Sequence, residues 1–570
     1  MKNNNNENKH ILILGAGPLQ IPAIQAAKNK GWYVYVADGN PNAPGVCFAD
    51  EFAPIDLKDT DSLVRYAQQL SKTKLDGVFT AGTDFSVAVS SVAEKLQLPT
   101  HSLQAAMNAS DKFLMRSCFK NSNVPSPDFI LVDSKCDETK IFDIIKTQLG
   151  FPLVVKPVDN MGARGCQLVS SFEQLPLAIK NAQSNSRTSR AIAENYMDGP
   201  EFSVDALVYD DEVHITGFAM RHIFYPPYFI EMGHTMPADF PQDKIEELVS
   251  VFKQGVKALS LSWGAAKGDI KYTSKGPMIG EIAGRLSGGY MSGWTYPYSS
   301  GVNLTEQALL LAVGEKPNAL QPLYSKVSAE RAWISIPGVI AKTPTTKELD
   351  EYKKDPRVKL LIPRYKVGDK VVFPTNNVEK CGNVITVCED RKKAVEIAND
   401  ICSKIVIELE ENNEETEKFL SQPLGSGAFP PDAYSLPKEL CSIINSLPDS
   451  KNGISESIKK IKESNKKIKF FYEPLPKEVE SYLQNNLLYD WNHRSFSDTI
   501  KYLEENYFIQ KSTKLADKTD AIVLNGLFWR AVFRGGLQGA GYVKAALSKA
   551  ALSKAVLSKS LISKSSICDE

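Results

Sequence analysis

The sequence predicts a multidomain protein of mixed α/β and α+β class, on three observations. Its first stretch alternates short apolar strands with helices, the pattern of a parallel sheet. From about Ala106 the pattern changes to strand–turn–strand segments with charged residues at their ends. Beyond about Glu410 the chain becomes Lys- and Glu-rich, with helical stretches. A length of 570 residues is ample for roughly three to five domains, each able to bury a core.

The opening α/β unit is expected over 9–105. Ile11 to Leu14 forms a strand, Gly15-Ala16-Gly17-Pro18-Leu19-Gln20 a turn and Ile21 to Asn29 a helix. Tyr33 to Ala37 and Asp76 to Thr80 supply further strands. The two glycines, with Asp38 about 20 residues after the turn, invite a dinucleotide-binding reading in which Asp38 takes a ribose hydroxyl. Gln20 stands where that fingerprint wants a third small residue. The weight therefore falls on a structural turn, or on one whose amides hold part of a substrate.

Lys+Arg and Asp+Glu are 67 each, so no net field draws the chain onto nucleic acid or an anionic membrane. Nine scattered cysteines without a C-x-x-C pair fit a reducing compartment better than a disulfide framework or a zinc site. The Asn-rich start has no apolar h-region, and no run of roughly 18 apolar residues follows. These features predict a cytoplasmic protein that binds small molecules in local sites. P-loop, H-E-x-x-H and G-x-S-x-G patterns are missing, which gives NTPase, zinc-hydrolase and serine-hydrolase readings no foothold.

Chemistry becomes legible after Ala106. Ser110 to Arg116 is helical and contains Lys112. Gly150-Phe151-Pro152-Leu153-Val154-Val155 is a buried strand closed by Lys156, and a loop with Gly162, Arg164 and Gly165 follows. A buried ammonium needs a partner, and a nucleotide phosphate would serve. Glycine backbone can approach phosphate oxygens closely, and an arginine adds charge-assisted bonds. The bland alternative is a solvated lysine beside an ordinary hairpin. The next element tips the balance: a strand enters with Glu194, turns through Asp198-Gly199-Pro200, and leaves with Glu201 and Asp205.

Lys112, Lys156, the Gly-rich loop, the E-x-x-x-x-G-x-E hinge and a later acidic pair together resemble the ATP-grasp superfamily. The resemblance implies a two-lobed ATP-grasp domain over 106–315, hinged near 194–201, behind an N-terminal pre-ATP-grasp domain. It implies ATP with Mg²⁺ (or Mn²⁺) as cofactors. Adenine would be read by the backbone of Asn195, Tyr196 and Met197, with Glu194 facing its amino side and Glu201 on the ribose. Lys112 and Lys156 would take the phosphates, under a lid formed by residues 160–165.

The acidic pair is Asp269 and Glu281, joined by a hairpin turn at Thr273 to Pro277 that would bring both carboxylates to one face. Beside a triphosphate, hard oxygen ligands mean Mg²⁺. Ala283 stands where the family usually has Asn, a departure from the full two-metal pattern, while Arg285 keeps its place and would act with Lys156 on the transferring phosphoryl group.

Ala219 to Ala238, with His222, Glu231, His234 and several prolines and aromatics, reads as an irregular substrate loop. Its F-x-E-x-G-H-x-x-P pattern is similar to that of amino-acid ligases that make dipeptides, within the same branch as biotin carboxylase. On that resemblance Glu231 would hold an ammonium, and His234 would lie near the carboxylate being activated. Alternatively, both histidines simply hydrogen-bond in the core. Gly288 and Gly289, next to Arg285, would leave room for an acyl side chain.

These pieces imply an ATP-dependent ligase that forms a C–N bond through an acyl phosphate, from a carboxylate and an amine (or a thiol), with an amino acid as one candidate substrate and a homodimer as one candidate assembly. The rivals are a bicarbonate-activating carboxylase of the biotin or purine type and a non-catalytic nucleotide-binding regulator. Strands and a helix over 316–410 predict a C-terminal lobe, Glu408 to Glu417 a solvated linker, and 411–535 an additional, mostly helical region. The last stretch, 536–570, repeats every five residues, a period that turns a helix about 140° per repeat and builds no stripe, so a tail is expected.

Overall fold

The computed structural model describes residues 8–133, 137–450, 470–512 and 522–565. They form two compact units. The first is the chain up to Glu330 with Thr375–Asn377 and Ile385–Val395; the second is Arg331–Pro374, Val378–Val384 and the residues from Glu396 onward.

The first unit opens with β1 (His10–Leu14), α1 (Ile21–Asn29), β2 (Tyr33–Ala37), β3 (Glu51–Ala53), α2 (Thr60–Ser71), β4 (Gly77–Phe79) and α3 (Ser86–Leu96). The strands form a parallel sheet in the order β3-β2-β1-β4. Ile11, Ile13, Val34 and Val36 pack on the α1 side and Leu12, Leu14, Tyr35 and Ala37 on the α2 and α3 side. A sheet covered on both faces needs such near-continuous apolar strands. The Asp38 carboxylate accepts from the Ala16 N–H and the Asn40 N–H, each at 2.8 Å. Buried Gln20 donates to the Ala81 carbonyl. Asp38 and Gln20 therefore brace the glycine turn itself.

Two helices, α4 (Leu103–Ser110) and α5 (Lys112–Asn121), lead into a four-stranded antiparallel sheet. Its elements are β5 (Phe129–Val132), α6 (Glu138–Gln148), β6 (Leu153–Pro157), β7 (Gln167–Val169), α7 (Leu175–Ser184) and β8 (Ala191–Asn195), in the strand order β5-β8-β6-β7. Alternation sends Leu153 and Val155 into the core under α6 and α7 and leaves Lys156 on the opposite face.

The largest sheet of this unit contains β9 (Glu201–Tyr209), β10 (Glu212–Phe224), β11 (Ile230–Met236), β12 (Gly264–Thr273) and β13 (Gly276–Ala283), with α8 (Gln242–Ala258) inserted before β12. The antiparallel order is β13-β12-β9-β10-β11. Leu248, Phe252 and Val256 of α8 pack against Phe202, Val204, Ile270 and Ile279. Here the structure corrects the expectation of an irregular loop over Ala219 to Ala238, since most of that stretch is two paired strands. Proline cannot donate to a ladder, and Pro226, Pro227 and Pro237 sit outside both strands.

In the second unit, Gly338–Lys342 pairs with Lys370–Val371 and with Glu408–Leu409. The expected acidic linker is thus part strand, and beyond it Glu414–Ser421 is a helix. Asn413 caps that helix by accepting from the Glu415 and Thr416 N–H groups, its early glutamates suit the positive end, and Phe419 and Leu420 are buried. Helices Lys438–Ser446, Lys477–Asn485 and Phe496–Asn506 accompany an unforeseen parallel sheet of Ile509–Lys511, Phe470–Tyr472 and Ile522–Leu524.

A final helix covers Gly526–Ser565, broken by the non-helical Gly536. Leu537, Ala540, Val543 and Leu547 are buried. Their spacing of three and four makes an apolar stripe that begins ahead of the five-residue repeat, so 537–548 is packed helix where a tail was expected. The helix runs on through 549–565, while 566–570 of the expected tail lie outside the described residues, as do 451–469 and 513–521 of the expected helical region. Among the described residues, no helix is long and apolar enough to cross a membrane.

Candidate active site

Two charge networks in the first unit collect most of the residues singled out above. The first starts at Asp111, which breaks α4 from α5 and caps α5 by accepting from the Phe113 and Leu114 N–H groups. That cap places Lys112 in the first turn, where its Nζ donates to the Asn160 carbonyl at 2.8 Å and lies 3.5 Å from Glu281 Oε1. One turn on, Arg116 Nε is 2.9 Å from Glu194 Oε1, and its Nη2 donates to the Gly280 carbonyl at 2.6 Å. Lys156 Nζ is 2.6 Å from Glu194 Oε2. Burial alone would raise the Glu194 carboxyl, but Arg116 and Lys156 outweigh it and hold it below the usual range.

The hinge after β8 is pinned by the Asn195 amide, which donates to the Leu149 carbonyl at 2.8 Å. Tyr196 is exposed, and the Met197 carbonyl accepts from Lys271 Nζ at 3.1 Å. Gly199 has φ +80°, and a Cβ there would lie 2.0 Å from the Tyr272 carbonyl oxygen. Gly199→Ala is therefore expected to destabilise the protein by roughly 2–4 kcal/mol, which thermal unfolding would check. An unchanged melting temperature would refute the steric argument.

The second network is built on β9, β10 and β12. Lys267, Asp269 and Lys271 alternate along β12 and so share a face. Lys267 pairs with Asp269, and Lys271 lies 3.7 Å from Glu201 Oε2. Arg221 of β10 is the hub: its Nη1 is 2.5 Å from Glu201 Oε1 and 2.8 Å from Asp269 Oδ1, and its Nη2 is 2.9 Å from Glu231 Oε2. Asp269 stands directly across the β12–β13 ladder from Glu281. Burial works against the Glu281 charge, but Lys112, Lys267, Lys156 and Arg285 pull its carboxyl down to about 2.

Arg285 donates from Nη1 to the Leu286 carbonyl at 3.1 Å. A parallel bridge between Ala81 and Leu286 brings the 80–85 loop alongside. On that loop Asp84 has its carboxyl raised by burial, against the influence of Arg285. Asp205, buried, accepts from the Ser287 N–H at 2.9 Å and from its hydroxyl, fixing the turn that carries Gly288 and Gly289. A Cβ on Gly288 would be 3.1 Å from the Gly82 carbonyl oxygen, and one on Gly289 would be 3.9 Å from Glu231 Oε2.

Gly162, Arg164 and Gly165 lie on the loop after β6, with Gly162 and Gly165 at φ +66° and +70°. The Asn377 N–H donates to the Gly162 carbonyl at 3.0 Å, and the Asn377 amide oxygen accepts from the Glu231 N–H at 2.8 Å. Burial and the nearby Arg187 push the Arg164 guanidinium down. His234 is fully buried, with Nε2 2.8 Å from Thr295 Oγ1 and Nδ1 3.4 Å from Glu330. His222 Nε2 lies 3.0 Å from Thr235 Oγ1.

The structure thus joins Lys112, Lys156, Glu194 and Glu281 in one network, and Glu201, Glu231 and Asp269 in another. His234 Nδ1 lies 3.9 Å from Glu231 Oε1, and Asn377 bonds both the Gly162 carbonyl and the Glu231 N–H. Sequence reading missed Arg116, Arg221, Lys267, Lys271 and Asp84. Arg116 is four residues from Lys112, a helical spacing that could have found it. Lys267 and Lys271 flank Asp269 at a strand's period. Asp84, on a separate loop, carries no such signal.

Residues 149–293 match the family described as ATP-grasp domain, and residues 333–410 the family described as L-amino acid ligase C-terminal domain 2. An uncharacterized protein of Sinorhizobium fredii is 25% identical over 292 residues, covering 50% of this chain and 59% of that protein. A carbamoyl phosphate synthase large chain of Thermus thermophilus is 23% identical over 360 residues, covering 58% of this chain and 34% of that one. The chain therefore spans only part of these relatives. Among solved structures, an L-amino acid ligase from Bacillus licheniformis superposes with TM-score 0.60 at 20% identity, covering 71% of this chain and 99% of that chain. A phosphoribosylglycinamide synthetase from Anaerococcus prevotii gives TM-score 0.56 at 23% identity, covering 71% and 100%. The chain carries an ATP-grasp domain, followed by an L-amino acid ligase C-terminal domain 2.

Proposed function

We propose that the chain is an ATP-dependent ligase that activates a carboxylate as an acyl phosphate and passes it to an amine, releasing ADP and phosphate. The observation that carries this reading is the pairing of Asp269 opposite Glu281, with Lys112 against Glu281. Two carboxylates on one ladder suit Mg²⁺ or Mn²⁺, whose remaining ligands come from phosphate oxygens and water. When bound, the ion would neutralise charge on the transferring phosphoryl group.

Lys112 and Lys156 hold the phosphates, the backbone of Asn195 to Met197 reads the adenine, and Glu201 takes the ribose hydroxyls. Glu194 has both oxygens on Arg116 and Lys156. Its role is accordingly to anchor Lys156 rather than to face the adenine. Arg285 stabilises negative charge at the reacting centre. The 160–165 loop closes over it and keeps water from the acyl phosphate. An amino acid is the favoured substrate, with its ammonium on Glu231, its side chain beside Gly288 and Gly289, and His234 bracing Glu231 from behind. The match of 333–410 to the L-amino acid ligase family supports this choice.

Phosphate release from MgATP, screened against pooled amino acids, other small carboxylates, thiols, and bicarbonate with and without biotin, tests the reading. Release is expected only with particular carboxylate and acceptor pairs. It should fall by about 10³-fold in Lys156→Ala and in Glu281→Ala. Release with bicarbonate alone would move the chain to the carboxylases, and ATP binding without turnover would favour a regulator or an acceptor absent from the pool.

A further inference from the structure

We propose that Arg221 is a positioning residue that makes divalent-cation binding at Asp269 conditional on the nucleotide. The proposal rests on the reading of Asp269 and Glu281 as the metal pair and Glu201 as the ribose acid. One guanidinium spans all three acids of its network: Nη1 is shared between Glu201 at 2.5 Å and Asp269 at 2.8 Å, and Nη2 lies 2.9 Å from Glu231. These side chains are only 10–18% exposed, so their Coulomb interactions are weakly screened.

Asp269 is thus already neutralised, by Arg221 on one side and Lys267 on the other. Its partner across the ladder, Glu281, faces Lys112 at 3.5 Å. A free divalent ion reaching this pair finds two carboxylates, each with a resident cation that must be displaced. The guanidinium is a rigid planar fork, so a change at one carboxylate alters what it offers the others. A ribose hydroxyl that donates to Glu201 can accept from the nitrogen that also holds Asp269, and a substrate ammonium, a donor only, displaces the other nitrogen from the Glu231 oxygen. Nucleotide arrival then frees the Asp269 oxygen that faces Arg221, Oδ1, and brings the phosphate oxygens that complete the ion's shell. The ion is admitted when there is a phosphate to act on, and the acids stay paired when there is none.

The test is Mn²⁺ binding to the full chain, read from the electron paramagnetic resonance of free Mn²⁺, with and without ADP. In the wild type, Mn²⁺ alone is expected to bind weakly and ADP to tighten it strongly. In Arg221→Gln, Mn²⁺ alone should bind about tenfold more tightly, and the tightening by ADP should shrink by about tenfold. Arg221→Lys keeps the charge but cannot span three acids, so the ADP effect should shrink there too, and this variant decides if the glutamine form fails to fold. Variants that lose Mn²⁺ and ADP affinity together, with the tightening intact, would overturn the proposal and leave Arg221 a purely structural brace. A wild type that binds neither ADP nor Mn²⁺ in its presence would instead overturn the nucleotide reading beneath it.

Discussion

Arg116→Met is expected to lower the unfolding free energy by about 3–5 kcal/mol, the cost of breaking a buried ion pair from one side. Arg116 is fully buried, and Glu194 is 2% exposed. Without the guanidinium, Glu194 is left with Lys156 at 2.6 Å among the described residues, and the Gly280 carbonyl loses a donor. Methionine fills much of the volume, so the loss reports the uncompensated charge rather than a cavity. Urea titration followed by circular dichroism would measure it. The double change Arg116→Met/Glu194→Leu should recover part of the loss, because an apolar replacement of a buried pair is often close to neutral. A single-variant loss below about 1 kcal/mol would mean the pair is hydrated and the buried network is misread.

Glu281→Gln should have the other large effect, on turnover and on acid stability together. On the proposed reading of Asp269 and Glu281 as the metal pair, loss of the Glu281 carboxylate is expected to lower MgATP turnover by about 10²–10³-fold. The acid effect is read without metal or nucleotide. A carboxyl held at about 2 instead of the ordinary 4.5 favours the folded state near neutral pH by at most about 3 kcal/mol. Solvent screening reduces this, since 31% of the side chain is exposed. Because the folded-state value is depressed, the stabilisation is present above the ordinary carboxylate range and is lost as pH falls from 4.5 toward 2. Wild type should therefore lose more stability than the glutamine variant across that interval. Parallel pH profiles for the two proteins would show that Glu281 is not held by its lysines.

The parallel sheet of the first unit was legible because strands covered on both faces must be apolar at every position, as Ile11 to Leu14 and Tyr33 to Ala37 are. The hairpin between Asp269 and Glu281 was legible because a turn between alternating strands fixes register locally. Ala219 to Ala238 misled because its prolines and aromatics signal irregularity, and only the pairing of β10 with β11 shows that the prolines fall outside the ladder. Likewise, a run of acids reads as solvated until Phe419 and Leu420 find a core to enter.

What the sequence determined by itself is the inventory: strand-end Lys156, the glycine loop, the Glu194–Glu201 hinge, the paired acids and Arg285, each set by local period and turn chemistry. What only the tertiary structure decided is who neutralises whom. Glu194 is claimed by Arg116 from a helix and Lys156 from a strand, 78 and 38 positions away. Arg221 gathers acids from three other strands. Charge pairing in a buried site depends on distance in space and on desolvation, and neither is written in the spacing of residues along the chain.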